Sequence, residues 1–593
     1  MHIIFSTVAM RRLLSLQVWL CLGAIGASQF VVPPADLITV TGHADVPIRY
    51  KQVPTGICEL NPNVKSFSGY ADVDKDQHIF FWFFEAREID PRDAPLTVWV
   101  DGGPGSSSMI GLFEQLGPCR VDYFGKLYEN PYSWSRRSNM LFIDQPTQVG
   151  FSYSTAVPGT MDADSGEISV LQDSICPLRP NGTCGTWSLP SVKLTANSTV
   201  NAAPNVWKTL QGFMGAFPQY SRDGLHLATD SYGGHYGPVF SDYFIKQNKE
   251  NIADAVNISL YSVLIGNGWV DPVIQFQAYY NFTVSPGNTY DLSFYNTSIQ
   301  QKLYDNLYGK GNCVDRLQTC EKYGDDNQCA TADSFCISNV QSFLDNYANR
   351  DEHDVRMLMP DPFPYPFYIE YLNRADVQAA IGAFTNFTIS SAVVSDAFSL
   401  TGDDGREVGA IQALRDLLHH DISVALYAGD ADYDCNWLGV QKIADIINVP
   451  GWQEAGFADL VTSDGQFHAQ VKQVRKFSFT RFFEAGHEVP FYQPLASLEL
   501  FERVIGARDI ATGRIDTSKD RYYRTQGPLQ STYREGNSTV QRDVTPSNLT
   551  YNVFTNIPGA PWGQRADQTE KLRKRMPRYT KSYYKPKYMA DRT

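Results

Sequence analysis

The sequence predicts an α/β protein: a mostly parallel central sheet covered by helices and carrying a disulfide-stapled cap insertion. Three observations carry this reading. Short apolar runs repeatedly end in turns rich in Gly, Pro and Asp and resume after a helical stretch, the alternation that builds parallel strands buried on both faces. Four cysteines cluster where that periodicity is weakest. With 43% hydrophobic and 19% charged residues, 593 positions supply a large core and argue against disorder or a coiled coil.

Taken in chain order, Arg11 and Arg12 precede an apolar stretch at 13–24 that ends in small residues near Ala27, the layout of a secretory signal peptide over residues 1–27. The stretch is short for a membrane span, and no second run of about 18 apolar residues follows. The run Leu96–Val100 enters Asp101-Gly102-Gly103-Pro104-Gly105, and 140–143 enters Asp144-Gln145-Pro146. Further runs at 225–228, 261–265 and 422–427 enter Asp230-Ser231-Tyr232-Gly233-Gly234, Gly266-Asn267-Gly268 and Ala428-Gly429-Asp430. All read as buried strands ending in loops. These place a core in two parts, 28–273 and 377–505. Between them, residues 274–376 hold Cys313, Cys320, Cys329 and Cys336 and are read as a cap or lid over the loop edge of the sheet. From 506 to 593 the chain is read as a polar extension, basic at its end: residues 563–593 hold ten Lys or Arg against three acids, a net +7.

The whole chain is acidic, with a formal charge of -14, which excludes wholesale phosphate binding. Eight Asn-x-Ser/Thr sequons, at Asn181, Asn197, Asn257, Asn281, Asn296, Asn386, Asn537 and Asn548, fit passage through a glycosylating pathway. Outside the leader nine cysteines remain, an odd count that suits four disulfides and one free thiol, for which Cys435 is the choice.

The chemistry centres on Ser231. A serine at a sharp turn between a buried strand and a helix projects its hydroxyl over the sheet edge, where helix-terminal N–H groups stabilise developing negative charge. The common Gly-x-Ser-x-Gly is incomplete, because Thr229 holds the first glycine position while Gly233 keeps the second. Downstream stand Gly429-Asp430-Ala431-Asp432 and Gly486-His487-Glu488, which supply the chain order Ser, Asp, His of an α/β-hydrolase fold with either Asp430 or Asp432 as the acid.

The motifs Asp101-Gly102-Gly103-Pro104-Gly105-Ser106, Asp144-Gln145-Pro146 with Gly150-Phe151-Ser152-Tyr153-Ser154, Asp230-Ser231-Tyr232-Gly233-Gly234, Asp432 with Cys435-Asn436-Trp437, and Gly486-His487-Glu488-Val489-Pro490 occur in the order found in the serine carboxypeptidases. The chain resembles that family from about Tyr70 to Ile505. The resemblance implies Ser231 as nucleophile, His487 as general base and then acid, and Asp432, three residues before Cys435, as the carboxylate that orients His487. It implies an oxyanion hole from the amides of Gly103 and Tyr232, each such donor being worth about 3 kcal/mol of barrier. It also implies a carboxylate-reading network at Asp101, Gln115 and Asp230, and a substrate pocket that includes Glu488 and Cys435. Two carboxyls and an amide there read a free carboxylate only if one acid is protonated, so acidic conditions should favour binding. A carboxylate at Glu488 would admit basic as well as apolar residues at the cleaved terminus.

The Cys313-to-Cys336 spacing resembles the family's nested pair, implying Cys313 with Cys336 and Cys320 with Cys329. Ser106 stands where the family has a cysteine, which removes one of the family's disulfides; the pairing of Cys58, Cys119, Cys176 and Cys184 stays open, with Cys58–Cys119 and Cys176–Cys184 as the alternative pairings. The expected substrate is the C-terminus of peptides and proteins, with no nucleic-acid partner, no membrane span, no cofactor and no metal, and the expected location is extracellular or a vacuole-like compartment. An acyltransferase or esterase on the same scaffold, or a non-catalytic secreted binding protein, are the alternative functions.

Overall fold

A computed structural model describes residues 30–531 apart from 179, 222, 223, 358 and 360–363. The expected leader at 1–27, the sequons at Asn537 and Asn548 and the basic terminal stretch lie outside the described residues. A twelve-stranded sheet organises the fold. Its centre is six parallel strands in the order Asn139–Ile143, Leu96–Val100, Leu225–Asp230, Leu260–Gly266, Ser423–Gly429 and Phe477–Phe482. Antiparallel strands extend both sides: Ile38–Thr41 through Gln77–Phe84 on one, and Phe467–Val474 with Ala458–Val461 on the other.

The apolar runs form the central strands because both faces are covered. Successive side chains leave a strand on opposite sides, and the core divides accordingly. Val98, Leu227, Val263 and Leu426 belong to one cluster, packed with the helices Thr199–Ala216 and Gly233–Gln247. Trp99, Ala228, Leu264 and Ala425 belong to the other, with Trp134 stacked on Phe501 of the helix Pro494–Ile505. Such strands can only present chemistry where they end, and the loops at the carboxyl ends of the parallel strands carry the polar motifs.

In the expected cap, the helices Cys313–Tyr323 and Asp326–Cys336 form a hairpin joined by Cys313–Cys336 and Cys320–Cys329. A further helix packs against this hairpin: Ala392–Thr401, from the stretch read as core, leads to Gly402, which lies on Cys329 and Ala330. The bonds Cys58–Cys119 and Cys176–Cys184 complete the disulfides, and Cys435 is free and buried.

Two expectations need correction. Asn386 is only 6% exposed, its amide nitrogen donates to Asn373 Oδ1 and its oxygen accepts from the Thr186 amide, so the folded protein leaves no room for a glycan there. The polar extension expected from residue 506 begins as part of the packed body. Backbone bonds tie Tyr523 to Arg475 (3.0 Å), Thr525 to Gln473 (2.9 Å) and Gly456 (3.1 Å), and Pro528 to Phe457 (2.7 Å).

Candidate active site

Ser231 sits between the strand Leu225–Asp230 and the helix Gly233–Gln247 with φ of 56°, the left-handed region that a side chain enters only under constraint. Three contacts impose it. The Ser231 amide donates to Gly266 O at 3.0 Å, and Ser231 O accepts from Trp269 N at 2.8 Å and Gly234 N at 2.9 Å. Thr229, in place of the usual glycine, puts its hydroxyl on Val100 O at 2.6 Å and so ties the elbow to the adjacent strand. Its opposite number must then be glycine: a Cβ on Gly233 would meet Thr229 Oγ1 at 1.7 Å.

Asp432 and His487 form a buried pair, with Nδ1 of the imidazole 2.9 Å from Oδ2 of the carboxylate. Asn267 Nδ2 (2.7 Å) and the Cys435 amide (3.1 Å) donate to the same oxygen, and the Asp434 amide donates to Oδ1 at 3.0 Å. The Asp432 side chain is therefore held in place against the imidazole by donors from two loops. Burial alone would depress the His487 ring, but the charge and hydrogen bond of Asp432, with Glu488 and Asp434 adding, raise its pKa above the ordinary value. The pair therefore favours the protonated, imidazolium form of the ring. Asp430, the other acid of the motif, is used elsewhere: it accepts from Tyr290 Oη at 2.6 Å and lies 3.6 Å from Arg481.

Gly102 brings the loop after Leu96–Val100 against the elbow, so closely that a Cβ there would lie 2.5 Å from Tyr232 N. Tyr232 opens its helix, and its amide therefore has no acceptor within the helix. Gly103 follows in the same loop. Asp144 fastens this loop from behind: Oδ1 accepts from Ser107 Oγ (2.6 Å) and Ser108 N (2.9 Å), and Oδ2 from Phe151 N (2.9 Å). Burial pushes the Asp144 carboxyl up to about 6, partly offset by those three donors.

The structure also brings Asp101, Gln115 and Asp230 together. Gln115 Nε2 donates to Asp230 Oδ2 at 2.6 Å, while Asp101 Oδ2 accepts from Trp99 Nε1 (2.5 Å) and Gly111 N (3.0 Å). Asp230 Oδ1 and Gln115 Oε1 are buried without a hydrogen-bond partner. Burial, then the neighbouring charge of Asp230, pushes the Asp101 carboxyl well above its usual range; burial also raises Asp230, against the pull of Gln115 and His487. Of the two buried acids, only Asp230 has an oxygen left without a donor, and a carboxyl so placed is easier to keep protonated than ionised.

Ser231, Tyr232, Gly103 and Cys435 line one cavity that opens to solvent. Burial, with Asp434 and Asp432 nearby, pushes the Cys435 thiol well up, so it is a neutral wall and not a thiolate. Glu488, expected in the same pocket, is buried beside His487 and is not part of this cavity's lining. The reading from sequence missed His353. Its ring lies 4.6 Å from that of His487, tilted by 37°, and its carbonyl accepts the His487 amide at 2.9 Å. It comes from a stretch of weak periodicity, and no local pattern around it marks a partner. Among the described residues no group of His, Cys, Asp and Glu is arranged to hold a metal, and no helix is long and apolar enough to cross a membrane.

Comparison with known proteins agrees with this geometry. A family model described as serine carboxypeptidase matches residues 54–507. Carboxypeptidase S1 homolog A of Arthroderma otae is 38% identical over 569 residues, covering 88% of this chain and 85% of that one. Carboxypeptidase S1 of Penicillium janthinellum is 36% identical over 466 residues, covering 77% of this chain and 99% of that one. The fold is shared with the crystal structure of a prohormone-processing carboxypeptidase, Kex1(delta)p of Saccharomyces cerevisiae, at a TM-score of 0.61 and 22% identity, over 77% of this chain and 95% of that one. The elbow, the imidazole–carboxylate pair and the extent of these matches lead to one conclusion: the chain belongs to the serine carboxypeptidase family.

Proposed function

We propose that this serine carboxypeptidase removes the last residue of a peptide through an acyl-enzyme on Ser231. Ser231 Oγ attacks the final peptide carbonyl while its proton passes to His487, and the amides of Gly103 and Tyr232 receive the oxyanion. The C–N bond then breaks as His487 returns the proton to the leaving amine. A water molecule, deprotonated by His487, releases the acyl portion and restores Ser231. The observation that carries this reading is the Asp432–His487 pair at 2.9 Å, together with an elbow serine held at positive φ. The free carboxylate of the leaving residue would be read by Asp101, Asp230 and Gln115, of which Asp230 Oδ1 and Gln115 Oε1 are buried without a partner and Asp230 directly precedes the nucleophile.

Because two raised acids must share a proton with that carboxylate, the reaction is favoured at acidic pH. Glu488 beside His487 would accept Lys or Arg as the released residue and, once protonated, apolar residues; an unchanged ratio of Arg to Leu release in Glu488→Met would refute that. Four disulfides, the leader motif and the exposed sequons at Asn181, Asn257 and Asn296 support passage through an oxidising, glycosylating route to the outside or to a vacuole-like compartment. A time course of a defined peptide by mass spectrometry tests the function. Stepwise loss from the C-terminus is expected, and internal cleavage or no loss would overturn it.

A further inference from the structure

The loop that carries Asp432 is gripped on both sides of that residue by one guanidinium. Arg481 lies in the strand Phe477–Phe482, opposite Ala428 of the strand Ser423–Gly429 from which the loop departs. Its Nη2 stands 3.6 Å from Asp430 Oδ2, and its Cζ lies 3.8 Å from the centroid of the Trp437 ring. Asp430 comes two residues before Asp432, and Trp437 comes five after it, where the chain turns into the helix Trp437–Ile447. The Arg481 side chain is 2% exposed and that of Asp430 0%, so both charges are out of water. Burial raises the Asp430 carboxyl, with Arg481, then Tyr290 and Arg356, pulling it back.

Between the two grips lie donors that hold the catalytic acid. The Asp434 amide on Oδ1 and the Cys435 amide on Oδ2 both belong to this loop, and only Asn267 reaches Asp432 from another. A main-chain amide has no rotamer of its own, so these two donors sit wherever the loop is set. Arg481 is itself fixed from further sides. Its Nη2 donates to Thr289 Oγ1, and its Nη1 donates at 2.9 Å to Ser531 Oγ, which donates in turn to Gln470 Oε1 at 2.7 Å. Tyr290, next to Thr289, gives its hydroxyl to Asp430 Oδ1 at 2.6 Å. A planar fork that donates along its edge while its face covers an indole is particular to arginine; lysine supplies the charge alone. A buried ion pair is often no more stabilising than apolar side chains in its place. What this one adds is a fixed loop.

We propose that Arg481 is a positioning residue: by holding Asp430 and Trp437 together it sets the loop whose amides aim Asp432 at His487. It acts through those two side chains and takes no part in the bond changes. The proposal rests on the acyl-enzyme reading above for the roles of Asp432 and His487, and adds to it the residue that fixes the acid.

The test compares Arg481→Met, Arg481→Lys and the double variant Arg481→Met with Asp430→Asn, all in the full chain. Two activities are read beside a thermal melt: kcat and KM on a blocked dipeptide, and the second-order rate constant for fluorophosphonate labelling of Ser231. Labelling needs the activated serine but no terminal carboxylate. In Arg481→Met, kcat and the labelling constant fall together by roughly 10- to 100-fold, the scale of a misplacement near 1 Å, while KM stays within about threefold of the parent. Arg481→Lys keeps the charge and recovers part of both. The double variant removes the unpaired buried carboxylate, so its melting temperature returns toward that of the parent while its labelling constant stays low, because nothing holds Trp437. An Arg481→Met protein that labels within about threefold of the parent overturns the proposal. So does a double variant whose labelling constant recovers in step with its melting temperature, which would make the loss one of folding. Should Arg481→Met not fold, the double variant decides alone. If the parent releases no terminal residue while Ser231 labels, the carboxypeptidase reading fails, and the labelling constants still decide the role of Arg481.

Discussion

Replacing Gly102 by alanine is expected to lower kcat by roughly 100- to 1000-fold without unfolding the protein. The argument is steric. A Cβ on Gly102 would stand 2.5 Å from Tyr232 N, 2.7 Å from Asp230 O and 2.9 Å from Ser231 Cβ, where ordinary contact begins at 3.4 Å. All three neighbours are backbone or the Cβ of the nucleophile, and none can rotate away. The loop must withdraw by about 0.9 Å, and the Gly103 amide moves with it. A misplacement near 1 Å costs on the order of 100-fold, and full loss of one oxyanion donor costs about 3–4 kcal/mol. Asp101 stays anchored by Trp99 and Gly111, so KM should change far less than kcat. Steady-state kinetics on a blocked dipeptide, with a thermal melt as the folding control, measure both. A variant that melts like the parent and keeps kcat within about tenfold of it would refute the oxyanion role of this loop.

Asp432→Asn should lower kcat by about four orders of magnitude while leaving labelled Ser231 detectable, because the amide presents the wrong partner to His487 Nδ1; a loss of less than about tenfold in steady-state turnover would mean that Asp432 does not orient the base. For a peptide substrate KM should rise between about pH 5 and pH 8 as Asp101 and Asp230 lose their shared proton, whereas an ester without a free carboxylate should show a smaller change in kcat; flat peptide kinetics over that range would contradict the network. The melting temperature should fall from about pH 4 to about pH 7. Asp144 and Asp333 are raised from 3.8 to about 6 and about 7, so their stabilising contribution is complete below the unfolded value and disappears as pH climbs through the folded values; a melting temperature that rises over this window would show the sign to be wrong.

Much of the fold was legible because it is written in local pattern. Five of the six parallel strands are apolar runs closed by turns, and the loop ends of those runs contain Asp101, Ser231, Asn267 and Asp432 in readable motifs; the sixth, Phe477–Phe482, interleaves its aromatics with Ser478, Thr480 and Arg481, and only the Gly486-His487 motif beyond it is readable. What separates Asp432 from Asp430 is not local. Both follow the strand Ser423–Gly429, and only the approach of the loop bearing His487 on one side and of Tyr290 and Arg481 on the other assigns one to the imidazole and the other to a buried pair. His353 was illegible for the same reason: it lies in a stretch without strong periodicity, and its neighbour His487 is distant in the chain. Asn386 fits a three-residue motif that says nothing about depth, and its burial comes from packing against Asn373 and Thr186. The segment after residue 506 reads as tail because its side chains are polar, while the bonds that hold it are made by main chain, which composition does not record.

That segment has a further consequence. The amides of Gly456, Phe457 and Arg475 border the outer strands of the sheet, and carbonyls of Thr525, Pro528 and Tyr523 occupy them. A rim of unpaired main chain is the template on which identical molecules add to one another. Proteolysis upstream of Tyr523 would thus do more than shorten the polypeptide: it would leave a sticky border, so trimming of the terminus must stop short of these residues if the enzyme is to stay a dispersed single species.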